Sequence, residues 1–133
     1  MGSIYIPLSL NTTDIMSNPN IPPAVREEIN QAQQLEEKLQ ALNQRISFTQ
    51  NSIMDIQKTL KDLEDVEEDA VVYKNAGLVL IQSTKNKIVE DLTDELSNLQ
   101  VRIKNFKLTH EKSKTEYEEL RKKIIAKLPQ QPQ

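Results

Sequence analysis

Apolar and weakly polar residues recur at alternating intervals of three and four positions through the first half of the chain. They are Leu35, Leu39, Leu42, Ile46, Thr49, Ile53, Ile56, Leu60 and Leu63. This heptad spacing places all of these side chains along one narrow stripe of a helix, which is the pattern of a coiled-coil seam. We predict a long helix from about Pro23 to about Glu64.

The same spacing returns in the second half of the chain. Its members are Val89, Leu92, Leu96, Leu99, Ile103, Phe106, His110, Ser113, Tyr117, Leu120 and Ile124. Ser83 and Thr84 are suitable capping residues ahead of this second seam, and Pro129 follows it. We therefore predict a second helix from about Lys85 to Leu128.

The segment between the two helices has β-like chemistry. Two short β-branched and aromatic runs, Val71–Tyr73 and Leu78–Ile81, are separated by Asn75-Ala76-Gly77. This arrangement predicts a β-hairpin in which Gly77 supplies the turn. Because the connection is short, the two helices should fold back on each other. The predicted fold is mostly α: a long antiparallel two-helix coiled-coil hairpin with a β-hairpin head.

The apolar side chains of the predicted hairpin need another surface to bury them. An isolated two-stranded hairpin is only marginally stable in water. Alternate residues of the two runs place apolar side chains on both faces, so we expect strands from other chains to cover them. We call this expected assembly surface the head residues: Val71, Val72, Tyr73, Gly77, Leu78, Val79, Leu80 and Ile81.

A second apolar group lies near the free ends of the two predicted helices. We call its members the tip residues: Ile21, Val25, Ile29, Ile124, Ile125 and Leu128. Extending the heptad spacing places Ile29 and Ile125 off the seam, so neither should be fully buried by the facing helix. Two interpretations remain open, because the tip residues either bind other proteins or only hold the open end of the coiled coil together.

Composition excludes several classes of protein. The 133-residue chain is only 37% hydrophobic and 4% aromatic, so it has little material for a globular core. Its 17 basic and 20 acidic residues are mixed along both helices, which argues against a nucleic-acid interface. No cysteine is present, so disulfides and thiolate chemistry are excluded. No run approaches the ~20 apolar residues of a membrane span, and we expect a soluble, cytoplasmic protein.

Catalytic chemistry is not indicated. His110 is the only histidine, and it falls on the second seam without a second ligand or a nucleophile at a helpful spacing. We therefore interpret it as a polar seam residue rather than a metal ligand or an acid–base group. Gly2 and Gly77 are the only glycines, so a Gly-rich phosphate loop is not possible. We expect no enzyme activity, no metal and no cofactor. Phe48, at a solvent-facing position, either contacts a neighbouring subunit or has no role.

The run Val72-Tyr73-Lys74-Asn75-Ala76-Gly77 lies between the two heptad helices, and Ile21-Pro22-Pro23 precedes the first of them. This pattern resembles the β-class subunit of prefoldin, since one hairpin rather than two points to the β class. The resemblance covers about residues 21–128, the expected domain. It leaves a flexible N-terminal extension at 1–20 and a flexible tail at 129–133. The apolar segment Ile4–Leu10 of the extension either extends a binding surface, packs on a neighbouring arm or stays disordered.

The resemblance implies an ATP-independent molecular chaperone. Two α-class and four β-class subunits would form a hexamer in which the head residues join an intersubunit β-barrel. The tip residues would capture unfolded client proteins and deliver them to a group II chaperonin. The alternative is a non-chaperone coiled-coil scaffold or tethering subunit. A scaffold predicts sealed tips and one specific partner, whereas a chaperone of this kind predicts exposed apolar tips.

Overall fold

The computed structural model describes residues 21–128. Their elements are helix α1 (Pro23–Glu64), strand β1 (Val72–Ala76), strand β2 (Val79–Ser83) and helix α2 (Lys85–Lys127). The predicted order, two long helices with one β-hairpin between them, is confirmed. The predicted extension at 1–20, with its Ile4–Leu10 segment, and the predicted tail at 129–133 lie outside the described residues.

Helix α1 begins and ends where the sequence predicts. The carbonyl oxygen of Pro22 accepts hydrogen bonds from the backbone N–H groups of Val25 (3.0 Å) and Arg26 (3.2 Å). A proline at position 23 is tolerated because the first N–H groups of a helix have no partner within it. The helix ends at Glu64, the first residue of an acidic run. Like charges at the negative end of the helix dipole oppose further extension.

Two turns and one lysine organise the segment after α1. The N–H of Val66 donates to the carbonyl of Leu63 at 3.1 Å, and the N–H of Ala70 donates to the carbonyl of Glu67 at 3.0 Å. The Nζ of Lys85, the first residue of α2, donates to the carbonyl oxygen of Val66 at 2.6 Å. This last contact, which the sequence analysis did not predict, ties the end of α1 to the start of α2.

Thr84 caps helix α2. Its carbonyl oxygen accepts a hydrogen bond from the N–H of Ile88 at 3.0 Å, and its Oγ1 accepts one from the N–H of Lys87 at 3.2 Å. A cap of this kind is typically worth about 1 kcal/mol, because it satisfies a donor that the helix leaves unpaired. The other predicted capping residue, Ser83, instead ends strand β2.

Strands β1 and β2 form an antiparallel pair. The register sets Val72 opposite Ser83 and Ala76 opposite Val79. The strands are therefore shifted from the predicted runs, since β1 continues to Ala76 and β2 to Ser83. Val71, predicted as a strand residue, precedes β1.

Gly77 and Leu78 form the two-residue turn of the hairpin. Gly77 has a φ of +74°, and within 21–128 no residue other than glycine has a positive φ. A positive φ at only the first central residue is the pattern of a type II′ turn, which suits the twist of a hairpin. The prediction that Gly77 supplies the turn is confirmed, whereas Leu78, predicted as a strand residue, lies in the turn.

The described residues form two compact units, and each contains a part of both helices. The first unit combines residues 21–43 with 108–128, and the second is Gln44–Lys107, which contains the hairpin. Within each unit the predicted seam residues are all buried or half-buried, including the polar ones, Thr49, His110 and Ser113. The heptad pattern read from the sequence is therefore confirmed.

The outer faces of the helices carry the charged side chains. On α2, for example, the Nζ of Lys87 lies 3.0 Å from Oδ1 of Asp91, which is one helical turn further along the helix. Neither helix holds a stretch that is both long and apolar enough to cross a membrane, as far as residues 21–128 are concerned. Over the same residues, no three His, Asp or Glu side chains are grouped as they would be to hold a metal ion.

Candidate functional site

The first unit contains a closed apolar core at the free ends of the two helices. Tyr117, Leu120 and Leu128 are half-buried and pack against its five buried residues. We call all eight the tip core, and its buried members are Ile21, Val25, Ile29, Ala32 and Ile124. The structure therefore brings together five of the six predicted tip residues, the exception being Ile125.

The expectation that Ile29 cannot be fully buried is wrong. Its side chain is 0% exposed. The buried residues Ile21, Val25 and Ala32 lie on the heptad seam extended back from Leu35, and Ile29 is the residue next to seam position 28. Adjacent residues are only about 100° apart around a helix, and the buried stripe of a helix often includes a position that flanks the seam. Ile29 is therefore buried beside a seam that keeps its heptad period.

Little apolar surface remains open at the tip. Ile21, Val25 and Ile124 are buried together with Ile29, so their predicted contact with other proteins is not available in this conformation. Ile125 is 37% exposed, and Leu128 is half-buried. The prediction that Ile125 lies off the seam is consistent with this position. The packing of the other tip residues is the one expected of residues that hold the end of the coiled coil together.

A charged pair spans the rim of the tip core. The Nζ of Lys127 donates to Oε1 of Glu28 at 2.7 Å. Glu28 is largely covered, whereas about half of the Lys127 side chain is exposed. This ion pair was not predicted from the sequence. Extending both heptad seams toward the chain ends reaches Glu28 and Lys127. This extended spacing is the signal from which the ion pair could have been predicted.

The head residues project from the hairpin of the second unit. Val72 is half-buried, and the other apolar head residues are exposed. Leu78, at the turn, is 104% exposed. Because residues paired across two strands share a face, the apolar side chains occupy both faces, as predicted. One face carries Val72, Val79 and Ile81, and the other carries Tyr73 and Leu80.

Such a surface is unusual for a chain that functions alone. Monomeric proteins rarely leave large contiguous apolar patches open to water. Covering one large apolar side chain stabilises an assembly by roughly 1.5–3 kcal/mol. The hairpin is a two-stranded sheet, so each strand also has an edge whose backbone groups are unpaired within residues 21–128. The hairpin is therefore suited to pairing with strands of other chains.

The polar seam residues have structural explanations. Thr49 is buried, and its Oγ1 donates to the carbonyl oxygen of Arg45 at 2.7 Å, so its hydroxyl group is satisfied within α1. Ser113 is buried and His110 is half-buried. Their burial agrees with the interpretation of His110 as a polar seam residue.

Several apolar side chains on the helices are exposed away from the seam. Phe48 is 75% exposed, as its solvent-facing position predicts. The others, which were not predicted from the sequence, are Met54, Val101 and Leu108. The second unit also contains a contact between exposed Arg45 and half-buried Phe106, in which the guanidinium carbon lies 5.9 Å from the centre of the ring. That distance is within the range of a cation–π interaction.

Comparison with known proteins identifies the family. A family model described as prefoldin subunit matches residues 26–131, which include both helices and the hairpin. The chain belongs to the prefoldin subunit family. The resemblance inferred from the Val72–Gly77 motif is thus confirmed.

Relatives of this prefoldin chain include β subunits. Prefoldin subunit beta of Pyrococcus furiosus is 30% identical over 109 residues, which are 82% of this chain and 93% of the relative. Prefoldin subunit beta of Thermococcus gammatolerans is 32% identical over 109 residues, which again cover 82% of this chain and 93% of the relative. The crystal structure of the prefoldin beta subunit from Thermococcus strain KS-1 matches with a TM-score of 0.71 at 30% identity and covers 85% of this chain and 100% of that chain. The β-class prefoldin fold is therefore confirmed.

Family membership establishes the general role of the chain. Prefoldins are a family of molecular chaperones rather than enzymes, and each prefoldin chain is a subunit that assembles with other prefoldin subunits. The head residues have the exposure that assembly requires. Their participation in a barrel shared between subunits stays a prediction.

Proposed function

We propose that this prefoldin chain is an ATP-independent holdase subunit of the cytoplasm, which captures unfolded proteins at the tip and delivers them to a group II chaperonin. The observation that carries the proposal is the tip core, in which apolar side chains from both helix ends converge. Unfolded proteins have exposed apolar segments in common but no common shape. A flexible apolar surface binds such segments because hydrophobic attraction has no fixed direction.

The proposed cycle uses no nucleotide. The sequence contains two glycines, Gly2 and Gly77, and therefore has no Gly-rich loop that could cradle phosphates. Several subunits acting on one client would raise the overall affinity through effective concentration, so a weak apolar surface in each subunit is sufficient. Release would follow when a chaperonin competes for the same apolar segments of the client.

The second part of the proposal concerns assembly. We infer that two α-class and four β-class subunits form a hexamer in which the head residues join an intersubunit β-barrel. The exposed apolar faces and the unpaired strand edges of the hairpin support this inference.

The head residues provide a direct test of assembly. The double substitution Leu78→Ser and Leu80→Ser should abolish assembly with an α-class prefoldin subunit in analytical ultracentrifugation, while circular dichroism shows unchanged helix content. Met54→Ser is the matched control, because it removes an exposed apolar side chain from a helix and should leave assembly intact. Normal assembly of the double variant would contradict the assignment of the head residues.

A non-chaperone scaffold is the second candidate function. The burial of Ile29 and Ile124 favours it, because sealed tips are expected of a chain that only spaces or tethers other proteins. A scaffold would bind one specific partner and ignore unfolded chains. Family membership favours the holdase, and the two candidates differ in a simple assay.

That assay is light scattering from a chemically unfolded client diluted into nucleotide-free buffer, with the chain assembled with an α-class subunit. Suppressed aggregation at near-stoichiometric amounts is the expected result. Undiminished scattering would favour the scaffold. Ile125→Ser combined with Leu128→Ser should weaken the suppression, since these two residues provide the apolar surface still open at the tip. Met54→Ser again serves as the control, because it leaves the tip unchanged.

A further inference from the structure

An apolar surface remains open at the free ends of the two helices. At the end of α2, Ile125 is 37% exposed and Leu128 is half-buried. At the start of α1, Pro22, Pro23 and Ala24 are exposed. We call these residues the open tip surface. All of them belong to the first unit, and none of them is buried within residues 21–128.

The apolar segment, residues 4–10, has the chemistry of an occupant for this surface. It contains no charged residue, and the first charged residue of the chain is Asp14. Alternate residues of an extended chain share one face. In this segment one such set consists entirely of large aliphatic side chains, those of Ile4, Ile6, Leu8 and Leu10. Pro7 disfavours both a helix and a central strand. The segment therefore resembles an apolar stretch of an unfolded protein.

We propose that the apolar segment folds back onto the open tip surface of its own chain, where it takes the place of a client and competes with clients for the tip. This inference rests on the proposed function, because it concerns the regulation of the same site. The competition involves side chains that are already exposed, and the tip core stays packed.

The chain leads directly into the open tip surface. Ile21 is 4% exposed and belongs to the tip core, against which Leu128 also packs. The carbonyl oxygen of Pro22 accepts the hydrogen bonds that start α1. The point from which residues 1–20 extend is therefore fixed at the tip. Residues 11–20 separate the apolar segment from this point, and ten residues can span up to about 33–36 Å. This linker is long enough for the segment to reach the open tip surface.

A linker of this length favours the tip of the same chain over that of a neighbouring chain. A short linker holds a segment at an effective concentration of about millimolar near its target. A segment that binds the tip with a dissociation constant of about 1 mM would then occupy it about half of the time. The small open tip surface is suited to such weak binding. A client that contacts several subunits can still displace the segment, because its contacts act together.

The competition sets the size of the expected effect. Removing a linked competitor strengthens client binding by a factor of one plus the ratio of its effective concentration to its dissociation constant. The factor is about two when these quantities are equal, and about ten when the segment binds roughly tenfold more tightly. We therefore expect a gain in client affinity of about two- to tenfold when the segment is disabled.

Tryptophan fluorescence tests the docking. The chain has no tryptophan, so Tyr5→Trp places a single probe in the apolar segment. In the chain alone, its emission should lie at a shorter wavelength than that of a water-exposed tryptophan, because apolar side chains cover it. Ile125→Ser combined with Leu128→Ser should shift the emission to that of the exposed state. Met54→Ser is the matched control, because it removes an exposed side chain of α1 outside the open tip surface.

Client capture tests the competition. A triple variant disables the apolar segment while keeping its length, through the substitutions Ile4→Ser, Ile6→Ser and Leu8→Ser. Capture is measured by light scattering from a chemically unfolded client, with the chain assembled with an α-class subunit. The triple variant should suppress half of the aggregation at a concentration about two- to tenfold lower than the unsubstituted chain requires.

The matched control for capture changes three polar residues of the linker instead, through Asn11→Ser, Thr12→Ser and Thr13→Ser. This variant should capture client as the unsubstituted chain does. Equal capture by both triple variants and the unsubstituted chain would overturn the inference. Weaker capture by the variant of the apolar segment would also overturn it, because the segment would then extend the client surface rather than compete with clients.

The emission of the Tyr5→Trp probe decides where the segment lies. Emission typical of a water-exposed tryptophan, or emission that ignores the substitutions at Ile125 and Leu128, would overturn the inference and leave the holdase proposal in place. A dependence on protein concentration would assign the segment to a neighbouring chain and would likewise overturn it. If neither the unsubstituted chain nor the triple variant suppressed aggregation, the proposed function and the competition would be wrong, even where the emission established the docking.

Discussion

The Nζ of Lys127 lies 2.7 Å from Oε1 of Glu28, although the two residues are 99 positions apart in the chain. Glu28 occupies the position that a strict heptad would place on the seam. Glu28 is half-buried at the rim, where it meets the last residue of α2, and its neighbour Ile29 is fully buried. Two adjacent residues of α1 therefore contribute one side chain to the apolar tip core and one to the ion pair that borders it.

Glu28→Gln should lower the free energy of unfolding by about 0.2–1 kcal/mol, because an ion pair at the surface contributes no more than this. Urea unfolding at low salt and at about 1 M salt measures the effect, which should shrink at high salt as the charges are screened. Glu27→Gln removes the same charge from the adjacent, exposed position and should have a smaller effect. A loss for Glu28→Gln that does not change with salt would show that the ion pair is not its cause.

The two isoleucines at the tip should respond very differently to truncation. Ile29→Ala should lower the free energy of unfolding by about 2–5 kcal/mol, because the side chain is fully buried and its removal leaves a cavity. Ile125→Ala, at a 37% exposed position, should change it by no more than about 0.5 kcal/mol. Urea denaturation of the two variants provides the comparison. Equal losses would mean that the tip is not closed in solution.

Gly77→Ala should destabilise the hairpin through backbone strain alone. A Cβ at this position would meet no atom of residues 21–128 within 4 Å, but the φ of +74° is unfavourable for any residue with a side chain. The expected cost is about 1–2 kcal/mol. Hydrogen exchange of the β1 and β2 amides should become correspondingly faster. Leu78→Ala is the control, since it alters the other turn residue without requiring a positive φ, and similar acceleration by that variant would contradict the explanation.

Lys87 offers a test of electrostatics on α2. The hydrogen bond to Asp91 and the negative charges of Asp91 and Glu90 raise the pKa of Lys87 above its ordinary value. A raised pKa means that the stabilising effect of the pair is complete at neutral pH and is lost only as the pH rises through that alkaline pKa. Asp91→Asn should lower the pKa of Lys87 in an NMR titration. Glu95→Gln changes a carboxylate outside the group that raises it, and a comparable fall there would argue against the role of Asp91.

Much of the fold could be predicted from the sequence because local chemistry sets it. The alternation of three- and four-residue intervals identifies both seams. The residues that start or end a helix do so through their own backbone and that of their neighbours in the chain. Pro22 and Pro23 mark the start of α1, the acidic run marks its end, and Thr84 caps α2. Gly77 supplies the turn because its backbone alone tolerates the required φ. The family motif added the β-class assignment, which local chemistry would not have provided.

Less of the candidate site than of the fold could be predicted from the sequence. The composition of the tip was predicted, since five of the six tip residues meet in one core. The full burial of Ile29 was not, because a heptad count treats only the seam positions as buried, whereas the packing at this helix end also covers the position beside the seam. The contact between Lys85 and Val66 was also missed, since a long flexible side chain can reach many acceptors and no spacing identifies one of them.

The linear order of residues thus settled which segments are helices, where they end, where the chain turns and which side chains are apolar enough to seek a partner. Each of these properties depends on neighbours within a few positions. Whether Ile29 or Glu28 faces the core, and whether Lys127 finds Glu28, depended on how two distant helix ends pack against each other. Packing decides there because burying the Ile29 side chain contributes roughly 1.5–3 kcal/mol, and the spacing of residues along α1 does not show that the facing helix covers this position.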